Sequence, residues 1–249
     1  MHRSLATRVL GVALTLVALV LFVAGCSRVI NRTAERKIRE ALPDAIGPAR
    51  QYRVHIENAP LRTVEGKLAN VTIDGEDVRF PTGVLLDSLH IDLKNVNVDT
   101  DRGRVRHIED ARFTIIVSEK SLDEYIAGEA PRGESIRKTR LTLGDHNYIT
   151  VTGERVTLLN VGIPFSLTGP IRVVSPTRVE IDTRRLDVAG IPFSGRVLSF
   201  FKSRIESSLD LHQFPVPVQL SSVTTQRGRI ILSGSIDAEA LLSRAQAAR

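Results

Sequence analysis

Few residues in this chain are spaced to do chemistry. Past the first residues the histidines are His55, His90, His107, His146 and His212, with no H-x-x-x-H or H-x-H pair to chelate a metal. No G-x-S-x-G places a nucleophile on a strained turn, and no glycine-rich phosphate loop is present. Asp123 and Glu124 adjoin, but adjacent side chains on a helix point apart, so they make a poor acid–base couple. NVDTDRG, Asn97–Gly103, has some oxygen ligands of a calcium loop. Its glycine comes one place late, and Ile108 stands where the twelfth-position glutamate belongs, so it reads as a polar hairpin turn. The chemistry read here is non-enzymatic, with no cofactor and no metal. The competing reading is a hydrolase with a site dispersed along the chain.

Cys26, the single cysteine, is the exception. His2, Arg3 and Arg8 precede an apolar run from Val9 to Cys26, the layout of a secretory signal. The run ends Val23-Ala24-Gly25-Cys26, which resembles the bacterial lipobox, whose thiol takes a diacylglyceryl group and whose cysteine becomes the new N-terminus. The alternatives are an uncleaved anchor or an ordinary secretory signal, since a spanning helix needs about 20 apolar residues. Each places the rest of the chain outside the cytoplasm, on the periplasmic or cell-surface side. One cysteine allows no intrachain disulfide. The expected organisation is a signal peptide with lipobox, or an anchor, over 1–26, and one domain over 27–249.

Composition narrows the partners. The formal charge is +6, and Arg28–Glu40 alone carries five basic and two acidic residues. Such a segment either lies on anionic headgroups or forms a solvated helix face. Tryptophan is absent and aromatics are 4 % of the chain, which disfavours the stacking platforms of nucleic-acid binders.

The elements follow from periodicity. Val29, Ile30, Ala34, Ile38 and Leu42 predict a helix over 28–42, stopped by Pro43. Alternation then predicts strands at YRVHIE, KLANVTIDG, LHIDLKNVNVD and ARFTIIV, with a bulge near Lys94–Asn95 where the apolar parity shifts. Ser121 and Glu124 suggest a capping box for a short helix over 119–127, ended by Gly128. Strands resume through TRLTL, YITVTG, RVTLLNV, GPIRVV, TRVEID and RRLDV. A second main helix is expected over 195–209, followed by strands in PVPVQLSSV and GRIILSGSI. VGIPFS at Val161–Ser166 returns as AGIPFS at Ala189–Ser194, each proline marking an edge, bulge or strand end, unless the echo is coincidence.

This is an α+β pattern: an elongated, strongly curved antiparallel β-sheet or half-barrel wrapping amphipathic helices around an apolar groove. Two stretches carry a likeness to a known family. FTIIVSEKSLDEYI is a strand ending in a serine that starts a helix, and Ile171–Ile236 pairs a proline-bearing turn and helix with a closing hairpin. The chain resembles the LmeA-like family of bacterial cell-envelope phospholipid-binding proteins, over residues 29 to 237. The resemblance implies a fold related to the tubular lipid-binding proteins and a phospholipid ligand. On that reading Phe165, Phe193, Val197, Leu198, Phe200 and Phe201 line an acyl cavity. Arg196, Lys202 and Arg204 are headgroup partners, unless they are plain surface charge. The expected function is a tethered extracytoplasmic phospholipid holder or carrier beside an anionic membrane. The alternative is a non-catalytic lipoprotein that scaffolds an envelope complex. No protein partner can be named.

Overall fold

The computed structural model describes residues 27–58, 60–80, 83–99, 104–129, 136–156, 162–193, 217–226 and 228–240. Ala34, Ile38 and Leu42 recur every four residues and form the buried stripe of helix α1, Ser27–Ala45. Pro43 does not stop the helix. It lies inside the last turn, exposed, so the Arg39 carbonyl that loses its donor faces water, and the Ile46 N–H still donates to the Leu42 carbonyl at 2.8 Å.

A hairpin-rich first half follows: β1 (Gln51–Glu57), a single turn α2 (Pro60–Val64), β2 (Lys67–Arg79), β3 (Leu85–Asp99), β4 (Arg104–His107) and β5 (Asp110–Ser118). The alternation is legible in the burial. Ala111, Phe113, Ile115 and Val117 of β5 are buried while the residues between them are exposed or half-buried. The expected parity shift in β3 is present, although the pairing with β2 keeps its register there and the register shift falls at Asn97/Val98, against β4. Asn95 has φ 49°, Lys94 and Asn95 are both exposed, and Val96 and Val98 regain the interior on shifted parity.

Helix α3 (Glu119–Glu129) begins two residues before Ser121, so the cap is Ser118, whose Oγ accepts the Ser121 N–H at 3.2 Å. Ser121 instead donates its hydroxyl to Asp87 at 3.3 Å, and the helix runs through Gly128. The remaining strands are β6 (Ile136–Leu143), β7 (Tyr148–Val156), β8 (Gly162–Ser175), β9 (Arg178–Ile181), β10 (Arg185–Val188), β11 (Ile191–Phe193), β12 (Val218–Gln226) and β13 (Arg229–Ile236).

These strands make two open sheets rather than one, and every pairing is antiparallel. Sheet I has the order β1-β2-β3-β5-β13-β12, with β4 on β3. Sheet II has the order β11-β10-β8-β7-β6, with β9 on β8. The chain builds most of sheet I, then all of sheet II, and returns to complete sheet I with the β12–β13 hairpin beside β5.

The two sheets meet along β12. The Leu220 N–H donates to the Pro176 carbonyl at 2.6 Å, and the Thr225 N–H donates to Asn147 Oδ1 at 2.8 Å. The Thr225 hydroxyl donates to the Gly144 carbonyl at 2.7 Å. Helix α3 forms a second link, because Asp123 and Glu119 accept the Leu141 and Leu143 N–H groups at 2.6 and 2.9 Å. Those donors lie along the free edge of β6, where an unpaired row would otherwise invite another strand. Asp123 thus has a structural task that its sequence neighbourhood does not announce. Among the described residues, no helix is long and apolar enough to cross a membrane.

Candidate functional site

The inner face of sheet II is built of successive apolar rows. In the row nearest sheet I, Leu143 lies opposite Ile149, and Ile149 opposite Gly169. In the next, Leu141, Val151, Leu167 and Leu186 stand side by side on β6, β7, β8 and β10, and Phe193 takes the register position beyond Leu186 on β11. The third row is Gly153, Phe165, Val188 and Ile191, and beyond it Ile136, Arg155 and Ile163 stand in register on β6, β7 and β8. Antiparallel partners share a face, so these rows form one surface.

Burial falls along that surface. Leu186, Leu167 and Ile149 are sealed, at 0 to 1 % exposure. Phe165 and Val188 are half-buried, and Ile191 is 60 % exposed. The opposite face is polar: Thr150, Thr152, Ser166 and Thr168 are half-buried, and Thr150 and Thr168 share a hydroxyl contact at 3.1 Å. Sheet II therefore presents an apolar lining that is closed near sheet I and open at its far end.

The two GIPFS copies come together at that open end. They flank β10, with Phe165 opposite Val188 on one side and Ile191 opposite Val188 on the other. The first copy is the opening of β8, and the second supplies the β10–β11 turn and an edge strand. Both lie antiparallel to β10, hence parallel to each other, with a two-residue offset. The echo is a neighbour relation in space, and the sequence distance between the copies hides it.

Phe165 is half-buried in the third row of this face, and Phe193 holds the end of β11. Arg196, Val197, Leu198, Phe200, Phe201, Lys202 and Arg204 fall outside the described residues, as does Cys26 with the rest of 1–26. The sequence reading missed Ile191, Val188 and the rows of β6 and β7. Period-two alternation identifies such residues as one-faced, but it does not say which sheet end stays uncovered.

A concavity lies beside α3. It is a cleft of about 490 Å³ whose charged lining is Arg50, Asp77, Arg79, Asp87, Lys120 and Glu124. Much of that charge is already paired: Arg50 reaches Glu76 at 2.9 Å and Asp77 at 2.8 Å, and Lys120 faces Glu124 at 3.8 Å. Asp87 accepts the Ser118 N–H and the Ser121 hydroxyl. Asp87 thereby binds the start of α3 to sheet I, and the apolar part of the lining is Pro48, Ala49 and Leu85.

The outer face of sheet I carries one tightly arranged titratable group. His90 Nδ1 lies 2.6 Å from Asp74 and Nε2 lies 2.9 Å from Asp92. With a carboxylate at each nitrogen the ring's pKa is raised, first by the Asp74 hydrogen bond, with desolvation by burial opposing it and the Asp92 charge and hydrogen bond adding to it. On the other face the Tyr52 hydroxyl donates to the Gly47 carbonyl at 2.8 Å, and burial pushes its pKa up to about 12. Neither group adjoins the open rows of sheet II. Among the described residues no cluster of histidine, cysteine and carboxylates could hold a metal ion.

A strand-built face with an open apolar end and no metal cluster among its described residues suits an apolar ligand. The profile of the LmeA-like phospholipid-binding family matches residues 25–235. The chain belongs to the LmeA-like phospholipid-binding family. The match covers residues of both sheets, β12 and all but the last residue of β13 included. No curated protein and no solved structure matches the chain.

Proposed function

We propose that the protein holds phospholipid by its acyl chains against the inner face of sheet II, outside the cytoplasm and tethered to a membrane through its N-terminal segment. The observation that carries this is the burial gradient from Leu186 to Ile191 on one continuous apolar face, within a phospholipid-binding family. Each chain methylene removed from water contributes about 0.8 kcal/mol, so affinity needs no specific polar contact. Holding or carrying lipid needs no catalytic group either. In this reading the curved sheets enclose helical segments around the groove, with Phe193, Val197, Leu198, Phe200 and Phe201 as further lining and Arg196, Lys202 and Arg204 at the headgroup.

Cys26 supplies the tether when its thiol is acylated, and the apolar run before it supplies one if it is retained. Helix α1 follows directly. Its exposed residues include Arg32, Arg36 and Arg39, a basic stripe suited to anionic headgroups at about 1 kcal/mol each.

Native mass spectrometry of the full chain, followed by lipid extraction, tests the ligand. Stoichiometric phospholipid supports the reading and names its class. Protein that is empty and takes no lipid from phosphatidylglycerol vesicles overturns it. Cys26→Ser tests the tether separately: loss of incorporated acyl label supports the lipoprotein route, and retained label sinks it.

A further inference from the structure

The open end of sheet II has features that acyl-chain binding alone does not require. None of Gly162–Phe165 or Val188–Pro192 is ionisable. Gly162, Pro164, Ala189, Gly190, Ile191 and Pro192 are all exposed. Ala189 and Gly190 have φ of 51° and 80°, the left-handed pair of a tight two-residue hairpin turn, and a Cβ on Gly190 would meet nothing within 4 Å. The result is a blunt uncharged tip with small side chains around one large exposed isoleucine.

The backbone of this tip is also prepared for a dry environment. The Ala189 N–H is satisfied by the Pro164 carbonyl at 2.8 Å. Pro192 sits in the edge strand β11 and Pro164 at the opening of β8, and neither has an N–H to leave unpaired. Each unsatisfied backbone group costs several kcal/mol in hydrocarbon. A protein partner that pairs with a sheet edge wants those donors, whereas a lipid surface does not. Of the charges next to the tip along the strands, Glu154 and Asp187 belong to the opposite face and are already held, Glu154 by Lys138 at 3.0 Å and Asp187 by Arg185 at 2.8 Å, while Arg155 takes the register position opposite Ile163 at the rim of the apolar face. The tip is continuous with the apolar rows, through Phe165 and Val188 to Leu167 and Leu186.

We infer that the β10–β11 turn and the opening of β8 form a lip that dips into a phospholipid bilayer and gives acyl chains their way on and off the inner face of sheet II. The inference rests on the phospholipid-holding reading and adds the place and direction of exchange. Along β8 the lip at Gly162 stands seven residues from Gly169, whose row is nearest sheet I, roughly 23 Å at about 3.3 Å per residue. Only that end of the molecule need touch lipid during exchange.

The chain has no tryptophan, so a single introduced indole reports its own surroundings. The full chain carrying Ile191→Trp is mixed with phosphatidylcholine–phosphatidylglycerol vesicles whose acyl chains are brominated. Tyr148→Trp, at an exposed site beside the sheet junction, is the comparison. The lip predicts blue-shifted emission and strong bromine quenching from the indole at position 191, and little of either from the one at position 148. Unquenched, solvent-like emission from the Ile191→Trp variant overturns it. So does an indole at that position that is shielded from aqueous acrylamide without vesicles and unquenched with them, because protein then covers the tip. Equal quenching at both sites overturns it too, since contact would be non-specific.

A second variant reads exchange. Ile191→Asp should slow uptake of a fluorescent phospholipid from vesicles roughly tenfold, by placing one carboxylate in an apolar contact. Uptake at the wild-type rate counts against the lip. Lipid content by mass spectrometry is scored independently. If the Ile191→Trp protein is lipid-loaded but its indole stays unquenched, the lip is removed and the phospholipid reading kept, while protein that never carries lipid removes the reading itself.

Discussion

Sheets I and II use the same alternation of apolar and polar residues but end it differently. In sheet I the inner rows run from edge to edge: Val54, Ile73, Ile91, Phe113, Gly234 and Leu220 stand in one line across six strands. Four of the five side chains in that line are buried. Gly234 is part of the fit, since a Cβ there would strike the Gln219 carbonyl and the Phe113 ring. In sheet II the corresponding rows are sealed only near the junction and open toward Ile191. One sheet is a frame and the other a surface held by it. Packing density therefore separates the residues that stabilise the fold from those left available for a ligand.

The sharpest way to break the frame is Gly234→Ala. The added methyl has backbone on one side and an aromatic ring on the other, so a loss of about 3 kcal/mol is expected in urea denaturation. A change below about 0.5 kcal/mol would show that sheet I can give way there, and the contrast with sheet II would weaken. Leu186→Ala should cost about as much, since its site is fully buried, whereas Ile191→Ala should fall within about 0.5 kcal/mol of wild type. Two residues of one face would then differ by nearly their whole burial energy.

Phe165→Ala tests the boundary between the two regimes. Half-burial predicts a stability loss of about 1.5 kcal/mol, with a clear fall in bound phospholipid measured by extraction. Unchanged lipid content would place the ligand elsewhere. Smaller again is Asp123→Ala, which removes the acceptor of the Leu141 N–H and should cost about 1 kcal/mol. Hydrogen exchange at Leu141 should accelerate, and protection equal to wild type would mean that the β6 edge is held by other contacts.

The smallest expected effect is pH-dependent. The raised folded pKa of His90 means that its ion pairs stabilise fully below the unfolded value of about 6.5, and the contribution is lost as pH rises through the folded value. The Tm difference between wild type and His90→Gln should be widest near pH 6 at low salt and close in alkaline buffer. His90, Asp74 and Asp92 are each more than 40 % exposed, so solvent screening keeps the difference small. A gap that widens with pH would show that Asp74 and Asp92 do not hold the ring charged.

Much of this architecture is written locally. The four-residue recurrence of Ala34, Ile38 and Leu42 and the alternation in β5 reappear as buried stripes, and the parity shift at Lys94–Asn95 is present where the pattern breaks. Pro43 reads as a stop only if the lost hydrogen bond matters, and on a solvent-facing last turn water replaces it. Ser118 is hidden as a cap behind Ser121 because it also closes a strand, and a residue with two tasks shows only one of them to a pattern. Pro164 reads as an edge, bulge or strand end, and β8 takes it at its opening, where no ladder donor is needed.

The sequence by itself determined the type of most described elements, the apolar side of strands such as β5, and the family, because all three depend on residue identity at short range. Three things were decided only in the tertiary structure. One was the return of β12 and β13 across all of sheet II to sit beside β5. The second was the junction of Thr225 with Asn147 and Gly144. The third was the meeting of two distant GIPFS segments on either side of β10. Each is a contact between segments far apart in the chain, chosen by which buried faces fit together, and local propensity carries no record of that fit.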